Sequence, residues 1–191
     1  MWSSTGTTTV LFPPSSAPTI SGGGTTGSAS FTLTWNTVST ATSYQVFWLP
    51  SGSGSQQVQN SSATSYTATV GASGTYEYVV LACNAGGCGP ESAPVTETVV
   101  FPPASAPTLT VSQPSLYSDT VDFSWTSVAT ATAYQLEYSK DQSTWTQIVD
   151  INELSTTYAP GTGLFYFEVR ACNAGGCGPW SAVKSLTVVD K

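Results

Sequence analysis

The sequence predicts an all-β protein made of two tandem β-sandwiches joined by a Pro-rich linker. Three observations carry this. The nonapeptide ACNAGGCGP at Ala82–Pro90 recurs letter for letter at Ala171–Pro179, 89 positions later. Apolar residues alternate with a period of two rather than 3.6. Turn-forming residues punctuate that alternation every ~8–12 residues, the spacing of short sandwich strands.

The repeat runs well beyond the nonapeptide. Leu11–Thr19 (LFPPSSAPT) matches Val100–Thr108 (VFPPASAPT) at the same offset, and Trp35 and Tyr44 match Trp125 and Tyr134 at an offset of 90. A period this long is a whole domain, since solenoid repeats run ~20–50 residues. The organisation expected is an extended N-terminal arm at 1–17, one domain at 18–100, a linker at 101–106 and a second domain at 107–191. The prolines of Phe101–Pro107 favour an extended, semi-rigid spacer. Because Val10–Pro14 repeats Val99–Pro103, the arm reads either as the closing strand of a preceding unit or as a segment that adds to another subunit's sheet.

Each strand can be placed in turn. Phe31-Thr32-Leu33-Thr34-Trp35 alternates apolar and polar, as does Val121-Asp122-Phe123-Ser124-Trp125. Tyr44-Gln45-Val46-Phe47-Trp48 and Tyr134-Gln135-Leu136-Glu137-Tyr138 place Tyr, Val or Leu, and Trp or Tyr on one face. Phe165–Arg170 is a further strand, with Tyr76–Ala82 as its counterpart. Gly22-Gly23-Gly24, Ser51–Gly54, Gly71–Gly74, Asp141–Ser143 and Pro160–Gly163 supply the turns. No segment carries a helical apolar stripe.

With these residues in place, both copies resemble fibronectin type III domains, over about 18–100 and 107–189. The resemblance rests on Trp35 and Trp125, on Tyr44/Val46/Trp48 and Tyr134/Leu136/Tyr138, and on the signature Ala-x-Asn-x-x-Gly-x-Gly-Pro-x-Ser. That signature is Ala82, Asn84, Gly87, Gly89, Pro90 and Ser92, then Ala171, Asn173, Gly176, Gly178, Pro179 and Ser181. It implies an immunoglobulin-like sandwich in which the Tyr76 hydroxyl bonds back to the chain. Phe165 holds that register in copy two, with Tyr166 one place along.

Cys83 and Cys88 bracket Asn-Ala-Gly-Gly, and so do Cys172 and Cys177. Four cysteines allow three pairings. The local one is expected, because residues flanking a tight hairpin face each other at disulfide distance, and the Gly pair supplies the positive φ that a short loop needs. A zinc site would be two ligands short in each copy, with no His in the chain. Two disulfides point to an oxidising setting, on a virion surface or outside the cell.

Charged residues make up 8% of the chain, against about 25% usually. The basic residues are Lys140, Arg170, Lys184 and Lys191 only, and the net charge is −7. Such a surface repels phosphate backbones, so nucleic acid is excluded as a partner, and no apolar run reaches the ~18 residues of a membrane-spanning helix. The absence of His removes the commonest general base, and no nucleophile elbow, P-loop or dinucleotide fingerprint is present. In copy two the carboxylates Asp119, Asp122, Glu137, Asp141, Asp150, Glu153 and Glu168, which lie ahead of Asp190 near the C-terminus, read as solvated or turn-forming, Asp141 as the former of the turn between the two strands around it. No enzyme, metal or cofactor is expected.

Aromatic residues carry the binding expectation. Trp145, after the turn at 140–144, and Trp180, directly after the second hairpin, are candidate contacts for a partner or a cell-surface glycan. Trp2, Val10, Leu11 and Phe12 are the candidates for docking the arm to a protein partner in a multimeric assembly. Tandem sandwiches similar to these occur in phage head decorations and tail appendages. The expected function is therefore a non-enzymatic structural or adhesive surface protein, specifically a bacteriophage virion component. The alternative is a fragment of a secreted bacterial exoprotein that uses the pair as spacer or carbohydrate-binding module.

Overall fold

The computed structural model describes residues 10–52, 54–113 and 120–189. Among them every regular element is a strand. The chain divides into two compact units, residues 1–99 and 100–191.

In the first unit, β1 (Ile20–Ser21), β3 (Ser30–Trp35) and β6 (Ser65–Thr69) form one sheet. The facing sheet runs β2 (Gly24–Thr26), β9 (Val95–Val99), β7 (Gly74–Asn84), β4 (Ser43–Trp48), β5 (Gln56–Ser61), with β8 (Gly87–Glu91) also on β7. Alternation works as expected. Leu33, Trp35, Tyr44, Val46, Tyr78, Val80 and Ala82 point inward and form the core, while Thr32 and Thr34 face outward. The glycine run, expected only as a turn, moves the chain between sheets. β1 pairs with β3, then β2 pairs in parallel with β9. Gly23 has φ +91°, and a Cβ there would lie 2.8 Å from the Thr96 carbonyl oxygen, so only glycine fits the crossing.

The second unit repeats the pattern. β10 (Leu109–Ser112), β11 (Val121–Trp125) and β14 (Ser155–Tyr158) form the smaller sheet. β13 (Trp145–Ile151), β12 (Ala133–Ser139), β15 (Gly163–Asn173) and β16 (Gly176–Trp180) form the larger, with β17 (Lys184–Val188) on β15. Phe123, Phe165, Phe167, Leu136 and Val169 fill its core. The Tyr76 hydroxyl donates to the Ala72 carbonyl at 2.8 Å, the corner bond the family resemblance implies. In the second unit Phe165 takes that register fully buried, with the Lys140 ammonium 5.3 Å from its ring centroid.

The repeated signature has a physical reading. Cys83 faces Cys88 and Cys172 faces Cys177 across each hairpin, both pairs as disulfides with Cα atoms 4.0 Å apart. Gly87 and Gly176 supply the positive φ, at +124° and +125°. The glycines before them serve another need. A Cβ on Gly86 would sit 2.1 Å from the Leu11 carbonyl oxygen, and one on Gly175 would sit 1.5 Å from that of Val100. Asn84 Nδ2 donates to the carbonyls of Phe12 (2.9 Å) and Thr40 (3.2 Å), and Asn173 does the same to Phe101 and Thr130. Thr40 and Thr130 both sit at φ 65°, an uncommon place for a β-branched residue, and the asparagine grips that strained carbonyl. Pro90 and Pro179 cannot donate to the ladder, and the Ser92 and Ser181 hydroxyls accept the N–H groups of Val80 and Val169.

This places the FPP segments differently from the expectation of an extended arm and a linker. Leu11–Pro14 lies on the first unit's own hairpin and Val100–Pro103 on the second's, and Pro14 and Pro103 are fully buried. The segment that looked like the end of a preceding unit is the lead-in of the unit that follows. Sequence offset alone could not decide this, because a segment between two domains repeats with both of them. Residues 1–9 of the arm lie outside the described residues.

Gly86→Ala should destabilise the first unit by about 1–3 kcal/mol through overpacking. Gly54→Ala, where an added Cβ meets nothing within 4 Å, should change it by less than about 0.5 kcal/mol. Urea unfolding of the two variants checks the difference.

Candidate binding face of the second unit

The outward side of the larger second sheet gathers groups that are far apart in sequence. The turn before β13 sets one corner. The Asp141 carboxylate accepts the backbone N–H groups of Ser143 (2.9 Å) and Thr144 (2.8 Å), and the buried Ser139 hydroxyl accepts those of Asp141 and Gln142. These bonds hold the Asp141 carboxyl well below the usual carboxylate range, the Thr144 N–H first among them. Asp141 thus shapes the turn, as expected.

Past that turn the ladder aligns three rows of side chains. Trp145 pairs with Ser139 and Ser139 with Tyr166. Gln147 pairs with Glu137 and Glu137 with Glu168. Asp150 pairs with Gln135, Gln135 with Arg170, and Arg170 with Trp180. The third row is bonded end to end. Gln135 donates to Asp150 at 2.9 Å, Arg170 donates twice to Gln135 Oε1 at 2.9 and 2.7 Å, and the guanidinium lies 4.3 Å from the Trp180 ring centroid. Trp145 and Trp180, both half-buried, therefore stand on one face at opposite edges. The sequence flagged both tryptophans but not the polar groups between them.

Glu137 and Glu168 are directly opposed like charges. Burial, then the hydrogen bond and charge of Glu137, push the Glu168 carboxyl from 4.5 up to about 7, and Arg170 opposes the shift. Among the described residues no three Asp, Glu, Cys or His side chains converge as metal ligands, and the four cysteines are consumed in disulfides. Asp119 and Trp2 lie outside the described residues. Val10 and Phe12 expose 69% and 74% of their side chains, so the apolar end of the arm is uncovered although the backbone beside it is held.

The corresponding face of the first unit is different. Phe47, Val79 and Leu81 stand where Glu137, Glu168 and Arg170 do, and Glu91 stands in place of Trp180.

The sequence profile of the fibronectin type III domain matches residues 16–98. The first unit is a fibronectin type III domain. Its match begins just after the buried Pro14, and the second unit repeats its signature and its strand pairing apart from the parallel β2–β9 pair, which has no counterpart among the described residues. The crystal structure of the chicken CNTN1 FN1–FN3 domains is similar in fold, with a TM-score of 0.57 and 24% identity over 94% of this chain and 69% of that one. No curated protein matches the chain in sequence. The protein is thus all-β, two tandem sandwiches on a fibronectin type III plan.

The raised Glu168 carboxyl makes the second unit's stability depend on pH. Below about pH 4.5 the group is protonated in both folded and unfolded chains. As pH rises from 4.5 to about 7 the unfolded chain ionises first, so stability falls and the loss is complete above 7. Glu168→Gln should therefore raise the thermal midpoint of the second unit at pH 8 and leave it unchanged at pH 4, in melts at the two pH values.

Proposed function

We propose that this protein is a non-enzymatic structural and adhesive surface protein whose second unit contacts a partner through its Trp145–Trp180 face. The observation that carries the reading is the alignment of those two tryptophans on one side of one sheet, with a bonded polar row between them. Half-buried aromatics beside desolvated Arg and carboxylate groups are the usual anchors of a protein contact. The disulfides in both units suit an oxidising location outside the cytosol.

Within that class the reading we favour is a bacteriophage virion component, a head decoration or tail appendage, attached by its N-terminal arm to a multimeric assembly. The uncovered side chains of Val10, Leu11 and Phe12 support an attachment there. A secreted bacterial exoprotein is the second reading, with the pair as spacer or carbohydrate-binding module. The mix of aromatic, amide and carboxylate groups on the second unit's face favours it.

Removing residues 1–9 and introducing Val10→Asp with Phe12→Asp leaves the Pro14 contact in place and should abolish incorporation into particles. Unchanged incorporation contradicts the virion reading. Trp145→Ala and Trp180→Ala should each weaken retention by the protein partner by about tenfold or more, measured on an affinity column, without lowering the midpoint of the first unit.

A further inference from the structure

The first unit holds an open cleft of about 480 Å³ between the edges of its two sheets, within the ~300–1,000 Å³ range of small-ligand sites. Its walls are aromatic: Trp48 on β4, Tyr66 on β6, and Tyr76 and Tyr78 on β7. Trp48 and Tyr76 lie 6.2 Å apart by ring centroids, and Tyr66 and Tyr78 lie 6.0 Å apart. Gln56 lies at its border and Ala68 in its wall.

Comparison with the other copy sets the cleft apart from a packing fault. Phe31 pairs with Ala68 in the first unit, and its counterpart Val121 pairs with Tyr158 in the second. There the Tyr158 ring lies 5.7 Å from Tyr138, the counterpart of Trp48. Where the first unit has Ala68 in the wall beside Trp48, the second has the Tyr158 ring on Tyr138.

We propose that this cleft binds a neutral sugar ring. No lining residue carries a charge, so a charged guest would lose its hydration without a counter-charge. The flat aromatic walls fit the C–H face of a pyranose. Ring hydroxyls can exchange hydrogen bonds with the tyrosine hydroxyls and the Gln56 amide, which a wholly apolar guest cannot do. Burial, with Tyr66 and Tyr76 nearby, holds the Tyr78 hydroxyl up at about 12, so it remains a donor at all physiological pH values. The site is separate from the second unit's face.

The test is calorimetric titration of the full chain with tetrasaccharides of glucose, mannose, galactose and N-acetylglucosamine, and with the peptide VFPPASAPT as a Pro-rich competitor. At least one saccharide should bind saturably. Ala68→Tyr, which introduces the second unit's residue, should weaken that binding by about tenfold or more, and Trp48→Phe, which shortens the aromatic wall by part of the indole ring, should weaken it while circular dichroism shows the first unit still folded. Trp145→Ala and Trp180→Ala should have no effect. The proposal is overturned by no saccharide binding, by binding indifferent to both first-unit variants, or by binding of the peptide alone. Saccharide binding lost on Trp145→Ala or Trp180→Ala also overturns it, and would assign glycan recognition to the second unit's face instead.

Discussion

Backbone meets backbone where each FPP lead-in crosses its cystine hairpin, and that approach constrains much of the rest of each unit. The lead-in carbonyls occupy the space that side chains at Gly86 and Gly89, or Gly175 and Gly178, would take. The asparagine beside the first cysteine then ties three segments together. It binds the lead-in, the loop carrying the left-handed threonine, and through its Oδ1 the N–H of the following glycine at 2.8 Å. Each hydrogen bond contributes about 1 kcal/mol, a meaningful share of the stability of a small domain. The disulfide keeps the two hairpin strands in register while this happens.

A frame so tightly specified can carry different surfaces, and the two copies do. The first presents Phe47, Val79 and Leu81 where the second presents Glu137, Glu168 and Arg170. The first has a cleft beside Ala68, where the second carries the Tyr158 ring against Tyr138. Every one of these changes lies outside the repeated nonapeptide. The two copies share the residues that build the hairpin and its lead-in and differ in the surfaces around it.

The fold was legible because period-two alternation and a letter-perfect repeat are local signals. Both disulfides followed from the hairpin, and Asp141 as a turn former followed from its neighbours. Three features were not legible, each for a physical reason. The lead-ins were assigned to an arm and a linker because nothing in a Pro-rich segment says which neighbour buries its prolines. The first glycine of each pair, Gly86 and Gly175, was read as a conformational need when it answers a close approach by residues over seventy positions away. The rows around Glu137, Glu168 and Arg170 depend on a register shift opposite Leu136 and Glu137, which no single strand encodes. The cleft could have been suspected by comparing the copies, since Ala68 and Tyr158 differ so much in size.

The most direct measurement compares equilibrium urea unfolding of residues 100–191 with that of residues 107–191. If Val100–Pro103 is an integral part of the second unit, the shorter chain should be less stable by at least about 2 kcal/mol, the combined effect of burying Pro103 and bonding the Phe101 carbonyl. Equal stability of the two chains would mean that the segment is only a linker, and would contradict the account.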